Sequence, residues 1–312
     1  MSSQPPSKEL FVFSEGKTFI ENIAVRTDGT LLLSTFENGR LYSLDPNAAT
    51  PKAELVAEFP GSDGITGVVA NSPDVFTVTG GKHRPFRFAL GSMKVYTVSF
   101  QGPGEPAVVK TVAEVPDAEM LNGIAALPSR PHVVLSADSV RGRIFRIDTT
   151  TGAVDVAFSD PILEQDEAVP LGVNGIKIFE SHLYFANSAK GLFGRIPIGP
   201  DGSKAGDVEI IARLPGTVNP GYAYDDFDIA QPASGNPTAY VTAHTNNIFS
   251  IDLVTGEQKL YFGGGDSKAL VHPTSLAVAK DGKRIYVVTA GFETLDGLAK
   301  GHAKGQVVEI PI

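Results

Sequence analysis

The chain has 312 residues, a formal net charge of -9 and a sequence pI near 5.2, with no cysteine and no run of Lys or Arg. The acidic balance argues against nucleic acid or an anionic membrane surface as a partner. The missing cysteines exclude disulfides, thiolate nucleophiles and Cys-ligated metals. Met1–Leu10 has no apolar core of a signal peptide, and no apolar run approaches the length of a membrane span. The expectation is a soluble protein, cytoplasmic or secreted, that acts on a small molecule.

In chain order, Lys8–Ser14 reads as an apolar strand that precedes the first of six similar units. In each unit a polar residue is followed two and four places later by apolar ones, the alternation of a strand with its first residue at an open end. The units start at Glu21, Thr66, Asn122, Asn174, Asp225 and Thr274, which are 45, 56, 52, 51 and 49 residues apart. Unit one continues through Leu31–Phe36, Arg40–Leu44 and Ala53–Phe59, punctuated by Asp28-Gly29, Asn38-Gly39 and Asp45-Pro46, which are hairpin and turn chemistry. Unit two has strands over Gly67–Ala70, Val75–Thr79, Val95–Phe100 and Val108–Val115. The insert Gly80–Gly91 is expected to overhang a mouth of the array. Unit three has strands at Gly123–Leu127, His132–Ala137, Arg143–Ile147 and Val154–Phe158, and a second insert, Ser159–Pro170, leads out of it. Unit four follows with Gly175–Phe179, Leu183–Asn187, Gly191–Ile196 and Val208–Leu214.

Unit five reads Phe227–Ala230, Ala239–Ala243, Ile248–Ile251 and Lys259–Phe262. Unit six has Ser275–Ala279, Ile285–Thr289 and a closing strand, Gln306–Ile312, that is only its third. Six units of several short strands each predict one all-β domain over 1–312, a six-bladed β-propeller with four-stranded blades. The N-terminal strand then completes the last blade and leaves no raw edge.

Inner strands of a propeller line the axis, so the six starting residues are expected to converge at one mouth. Glu21, Asn122, Asn174 and Asp225 are oxygen donors of the kind that hold calcium, magnesium or manganese. The competing reading is that Asn-Gly and Asp-Asp are turn residues that recur with the backbone geometry; Glu21, a poor turn former in the same phase, weighs against it. Glu15-Gly16-Lys17-Thr18 imitates a phosphate loop but has Phe11 where the first glycine is needed. The six histidines have no ligand spacing, although His244 and His272 could each face the mouth. Tyr222, Tyr224, Phe227 and Phe292 could wall an apolar pocket or serve as ordinary inter-blade packing.

With Glu21, Asn122, Asn174 and Asp225 in place, the chain resembles six-bladed propellers of the regucalcin and gluconolactonase type. That resemblance implies a divalent cation, Ca or Mg, at Glu21, Asn174 and Asp225, with Asn122 close by and Asp225 as base in lactone hydrolysis. Met120 stands where those lactonases place an arginine, and a methionine there predicts an apolar ligand. Asp225-Asp226-Phe227 replaces the usual Pro-Asp-Gly, so either carboxylate could face the axis.

The sequences FIENIAVR, MLNGIAALP, VNGIKI, LYFANSAKGLF and YDDFDI are closer to a fungal branch of this superfamily. That branch includes hetero-Diels-Alderases of tropolone-sesquiterpenoid biosynthesis, which join a quinone methide to a terpene alkene. This second resemblance implies a pericyclase of secondary metabolism that needs no cofactor. On the pericyclase reading Asn122, Asn174 or Asp226 would donate to or orient the enone oxygen; Asp225 is the catalytic base of the lactonase reading. Thr66, Met120, Tyr224, Phe227, His244, Thr274 and Phe292 would contact the substrate. A metal-dependent lactonase is the alternative, and a non-catalytic binding propeller the third reading.

Overall fold

The computed structural model describes residues 4–14, 18–36, 39–84, 87–102, 105–167, 169–265, 267–292 and 303–312. Asn38 of the predicted Asn38-Gly39 turn, and Glu15, Gly16 and Lys17 of the discarded phosphate-loop mimic, lie outside the described residues.

Six four-stranded antiparallel sheets follow one another along the chain. Their inner strands are Phe19–Val25, Gly64–Ser72, Leu121–Leu127, Val173–Phe179, Tyr224–Ala230 and Pro273–Val278, in blades one to six. Each inner strand packs on the next and the sixth on the first, which closes the ring. Lys8–Val12 pairs antiparallel with Gln306–Pro311, with Lys8 opposite Glu309 and Val12 opposite Gln306, so the N-terminal strand completes blade six as expected. Among the described residues the only helical turn is Pro161–Leu163, inside the second insert, where the Asp160 side chain accepts from the Ile162 N–H. No helix among them is long and apolar enough to cross a membrane.

A sheet standing radially has both faces covered by its neighbours, so its strands can be apolar throughout. Leu31–Phe36 is buried at every position. Its alternation assigns the faces: Leu31 and Leu33 pack with Tyr286 and Val288 of blade six, and Leu32 packs with Val68 and Phe76 of blade two. The core is therefore a set of slabs between blades, one at each of the six junctions. Burial of such residues stabilises by about 25 cal/mol per Å2 of apolar surface.

Candidate active site at the propeller axis

Every inner strand carries a register shift at the residue singled out by the repeat. Glu21, Thr66-Gly67, Asn122-Gly123, Asn174-Gly175, Asp225-Asp226 and Thr274 are the residues left unpaired. A bulge re-aims a side chain and tightens the local twist, which lets six strands converge. The Asn-Gly pairs are therefore bulges and not turns. Gly123 and Gly175 have no positive φ; they are glycine because a Cβ would lie 2.2 Å from Asn174 O and 2.1 Å from Asp226 Oδ1, respectively.

The six positions differ in what they do. Thr66 and Thr274 were expected to bind substrate, but their hydroxyls donate to the carbonyls of Leu121 (2.6 Å) and Ile20 (2.7 Å) on the next inner strand. Ser34, Ser188 and Thr242 make the same stitch to Thr66 O, Tyr224 O and Thr274 O. These hydroxyls satisfy the carbonyls that the bulges release from the ladder. The remaining four form a polar floor. Asn122 Nδ2 donates to Asn174 Oδ1 (2.8 Å), the Asn174 amide bonds Ser188 Oγ (3.0 Å) and Asp225, and Asp225 Oδ2 lies 2.8 Å from His244 Nε2.

Asp226 occupies the second bulge position, where blades two, three and four have glycine, and its carboxylate belongs to a deeper layer. It accepts from Lys177 Nζ (2.9 Å), Asn22 Nδ2 (3.0 Å), Ser275 Oγ (2.8 Å) and the Phe227 N–H (2.8 Å). Asp225 is thus the aspartate of the floor, and the expected catalytic role of Asp226 gives way to that of a structural hub.

Tyr224 and Phe227 do not contact the cup as expected. Both are fully buried with Phe193, Ala243 and Phe249 between blades four and five, and the Tyr224 hydroxyl donates to Gln258 Oε1 (2.6 Å). The bulge between them turns both side chains off the axis and into the slab. The walls come from elsewhere. His244, His272, Phe292, Phe19, Phe36 and His83 form a succession of neighbouring rings with centroids 3.9, 4.3, 5.9, 4.8 and 4.8 Å apart, drawn from blades five, six, one and two. Successive planes are inclined by only 24–34°. Phe88 joins Phe36 and His83, and Met120 packs in the cluster that holds Phe36 and Phe88.

The insert after Gly80 does reach this mouth, because its short hairpin, His83–Arg84 with Arg87–Phe88, supplies two of these rings. Met120 is held by the buried Asp138, which accepts from the Glu119 and Met120 N–H groups and from Arg143. Phe19, Phe36, His83, Phe88 and Lys177 escaped the sequence reading. The available signal was the aromatic two places before Glu21 and the one that ends the next strand.

Electrostatics set the floor apart. Burial pushes the Glu21 carboxyl well above the usual carboxylate range, and Asp225 and Asp226 push it further. Among the described residues no hydrogen-bond donor reaches it. Asp225 is raised by burial, against the opposing hydrogen bonds of His244 and Asn174. His272 is held well below its ordinary value by burial and by His244 stacked on it. Two carboxylates and the Asn174 amide oxygen make a donor set suited to a hard cation. Among the described residues, however, no three acidic or imidazole side chains converge to hold a metal, so such an ion would need the amide as its third protein ligand.

Solved structures with this architecture include regucalcin from Agrobacterium tumefaciens (TM-score 0.65, 14% identity, 96% of this chain and 93% of that one). A luciferin-regenerating enzyme is similar at TM-score 0.64 and 14% identity, over 96% and 94% of the two chains. The chain is a six-bladed β-propeller. By sequence, the propeller is 27% identical over 81% of its length to a Sarocladium schorii protein named "Putative hetero-Diels-Alderase", of which it covers 68%. It is 24% identical over 90% of its length to a Phoma protein of the same name, of which it covers 86%. No family model matches it.

Proposed function

We propose that the propeller is a small-molecule enzyme of fungal-type secondary metabolism. Its axial cup joins two apolar reactants as a hetero-Diels-Alderase, taking a tropolone-type quinone methide and a sesquiterpene alkene. The observation that carries this reading is the arc of neighbouring rings from His244 to His83, whose His244 end meets the polar floor. A flat conjugated ring can pack against such an aromatic wall, and Met120 and Phe88 extend the apolar surface for the alkene. The reaction forms one C–C and one C–O bond and expels nothing, so it needs neither nucleophile nor net proton transfer. Holding the partners face to face is worth roughly 7–11 kcal/mol of barrier. The Asn122 amide, which keeps an N–H beyond its bond to Asn174, can donate to the quinone methide oxygen and make the diene more electron-poor. The test is to release a quinone methide in the presence of humulene, with and without the purified chain. The expected outcome is faster adduct formation with one stereoisomer in excess; an unchanged rate and isomer ratio would refute the proposal.

The Glu21 carboxyl, buried and without a donor among the described residues, favours a second reading. A divalent cation held by Glu21, Asn174 and Asp225 would relieve its repulsion from Asp225 and, when bound, polarise a lactone carbonyl. Asp225, oriented by His244, would then receive the proton of the attacking water. This reading predicts lactone hydrolysis that is lost on chelation and in Asp225→Ala; hydrolysis that survives both removes it.

A further inference from the structure

Away from the axis, an open groove of about 670 Å3 lies over the outer half of blade five. Phe249 and Leu260, directly opposite each other in the third and fourth strands, form its base. Pro215 and Tyr222 wall it on the side of blade four. Thr245 and Asn246, from the turn after the second strand, and Asn247, which opens the third, also line it. This turn begins at His244, the residue bonded to Asp225, and Asn247 Nδ2 donates to His244 O (3.4 Å).

The groove is shaped by three consecutive glycines. Gly263, Gly264 and Gly265 have φ of 86°, 82° and 54°, a backbone open to glycine and strained for other residues. A Cβ on Gly263 would lie 1.8 Å from Asn246 O, and one on Gly264 would lie 2.7 Å from Leu260 Cδ2. Asn246 Nδ2 ties the two rims together through Gly265 O (3.3 Å) and Ser267 O (2.6 Å). Gln4 pins the strip from outside by bonding both the carbonyl (2.7 Å) and the N–H (3.1 Å) of Gly263. The volume is that of an ordinary small-molecule site.

The lining chooses the ligand. None of the described lining residues is charged, so an ion entering the groove would lose hydration without meeting an opposite charge. The net charge of -9 disfavours anions further. Polar capacity remains at its wall. Gln258 Oε1 is taken by the Tyr224 hydroxyl, which leaves the Gln258 amide N–H groups; Asn247 Oδ1 and the Tyr222 hydroxyl have no protein partner among the described residues.

We propose that this groove is a second small-molecule site, selective for a neutral, mainly apolar ligand that carries a hydroxyl or carbonyl group. The site lies outside the axial cup and does not depend on the reaction assigned to that cup.

The chain contains no tryptophan, so Leu260→Trp, on the exposed outer strand, places a single fluorophore in the groove. The probes are geraniol and geranate, which share a ten-carbon skeleton ending in a hydroxyl or a carboxylate. Geraniol should shift the Trp emission saturably and bind at least ~10-fold more tightly than geranate, by the cost of stripping water from an ion. In the unmodified chain, geraniol should slow hydrogen exchange over residues 244–249 and 258–265. Equal affinity for the two probes overturns the ligand class. Absence of protection in those segments, or protection confined to the strands that carry Phe19, Phe36 and His83, overturns the site.

Discussion

Replacing Asp226 by asparagine keeps the shape that fills the space over Gly175 but removes the charge facing Lys177 Nζ at 2.9 Å. The Asp226 side chain is 3% exposed and that of Lys177 26% exposed. Removing one partner of a buried pair costs about 3–5 kcal/mol, because the other charge is left uncompensated. Lys177 can turn its ammonium towards water on its apolar stem, so the low end, about 3 kcal/mol, is expected. Lys177→Met leaves Asp226 with Asn22, Ser275 and the Phe227 N–H. The more deeply buried member of the pair then keeps its charge with only neutral donors, so the cost should be at least as large, about 3–5 kcal/mol. The double variant pairs an amide with a thioether and leaves no buried charge unmatched, so its cost should fall at least ~1 kcal/mol below the sum of the singles. Urea unfolding of the four proteins, compared by midpoint at unchanged slope, measures this. If the singles and the double add to within about 0.5 kcal/mol, Lys177 and Asp226 are not a coupled unit and the account of the deeper layer fails.

Three further outcomes are expected. Gly175→Ala puts a methyl 2.1 Å from Asp226 Oδ1 and 2.7 Å from Asp226 Cα, and should destabilise by about 1–3 kcal/mol. Gly221→Ala, whose nearest atom would be a side-chain oxygen at 3.4 Å, should change the urea midpoint little. Because the folded state raises the Glu21 carboxyl, it holds more protons than the unfolded chain above the ordinary value of 4.5, and stability falls as pH rises through that window. Glu21→Gln should therefore gain on the parent with rising pH in metal-free buffer; a loss there would show that the charged carboxylate is matched in the native state. His272 is depressed below 6.5, so the unfolded chain binds more protons below that pH and stability drops on acidification. His272→Phe, which retains stacking on His244 and Phe292, should flatten that limb of the thermal melting profile.

The repeat at Glu21, Thr66, Asn122, Asn174, Asp225 and Thr274 was enough to read the radial array and its axial ring from the chain alone. The reason is local: the pleat fixes which side of a strand a residue takes, and that phase survives in the sequence. Asp28-Gly29 likewise announced its turn, where Gly29 has φ 88°.

What the phase does not carry is the neighbour that each side chain meets after a bulge. Thr66 and Thr274 share the ring with Asn122 and Asn174, yet carbonyls of the next blade consume their hydroxyls. Tyr224 and Phe227 flank the ring residues and are turned into the slab between blades. The ring wall joins His244, Phe292, Phe19 and His83 from four blades and more than two hundred positions, with no spacing rule to connect them. Likewise Asp225 and Asp226 are adjacent and chemically alike; only His244 beside the first and Lys177 beside the second separate floor from hub. Within one strand the periodicity of the backbone decides, and across the axis the packing of distant segments does.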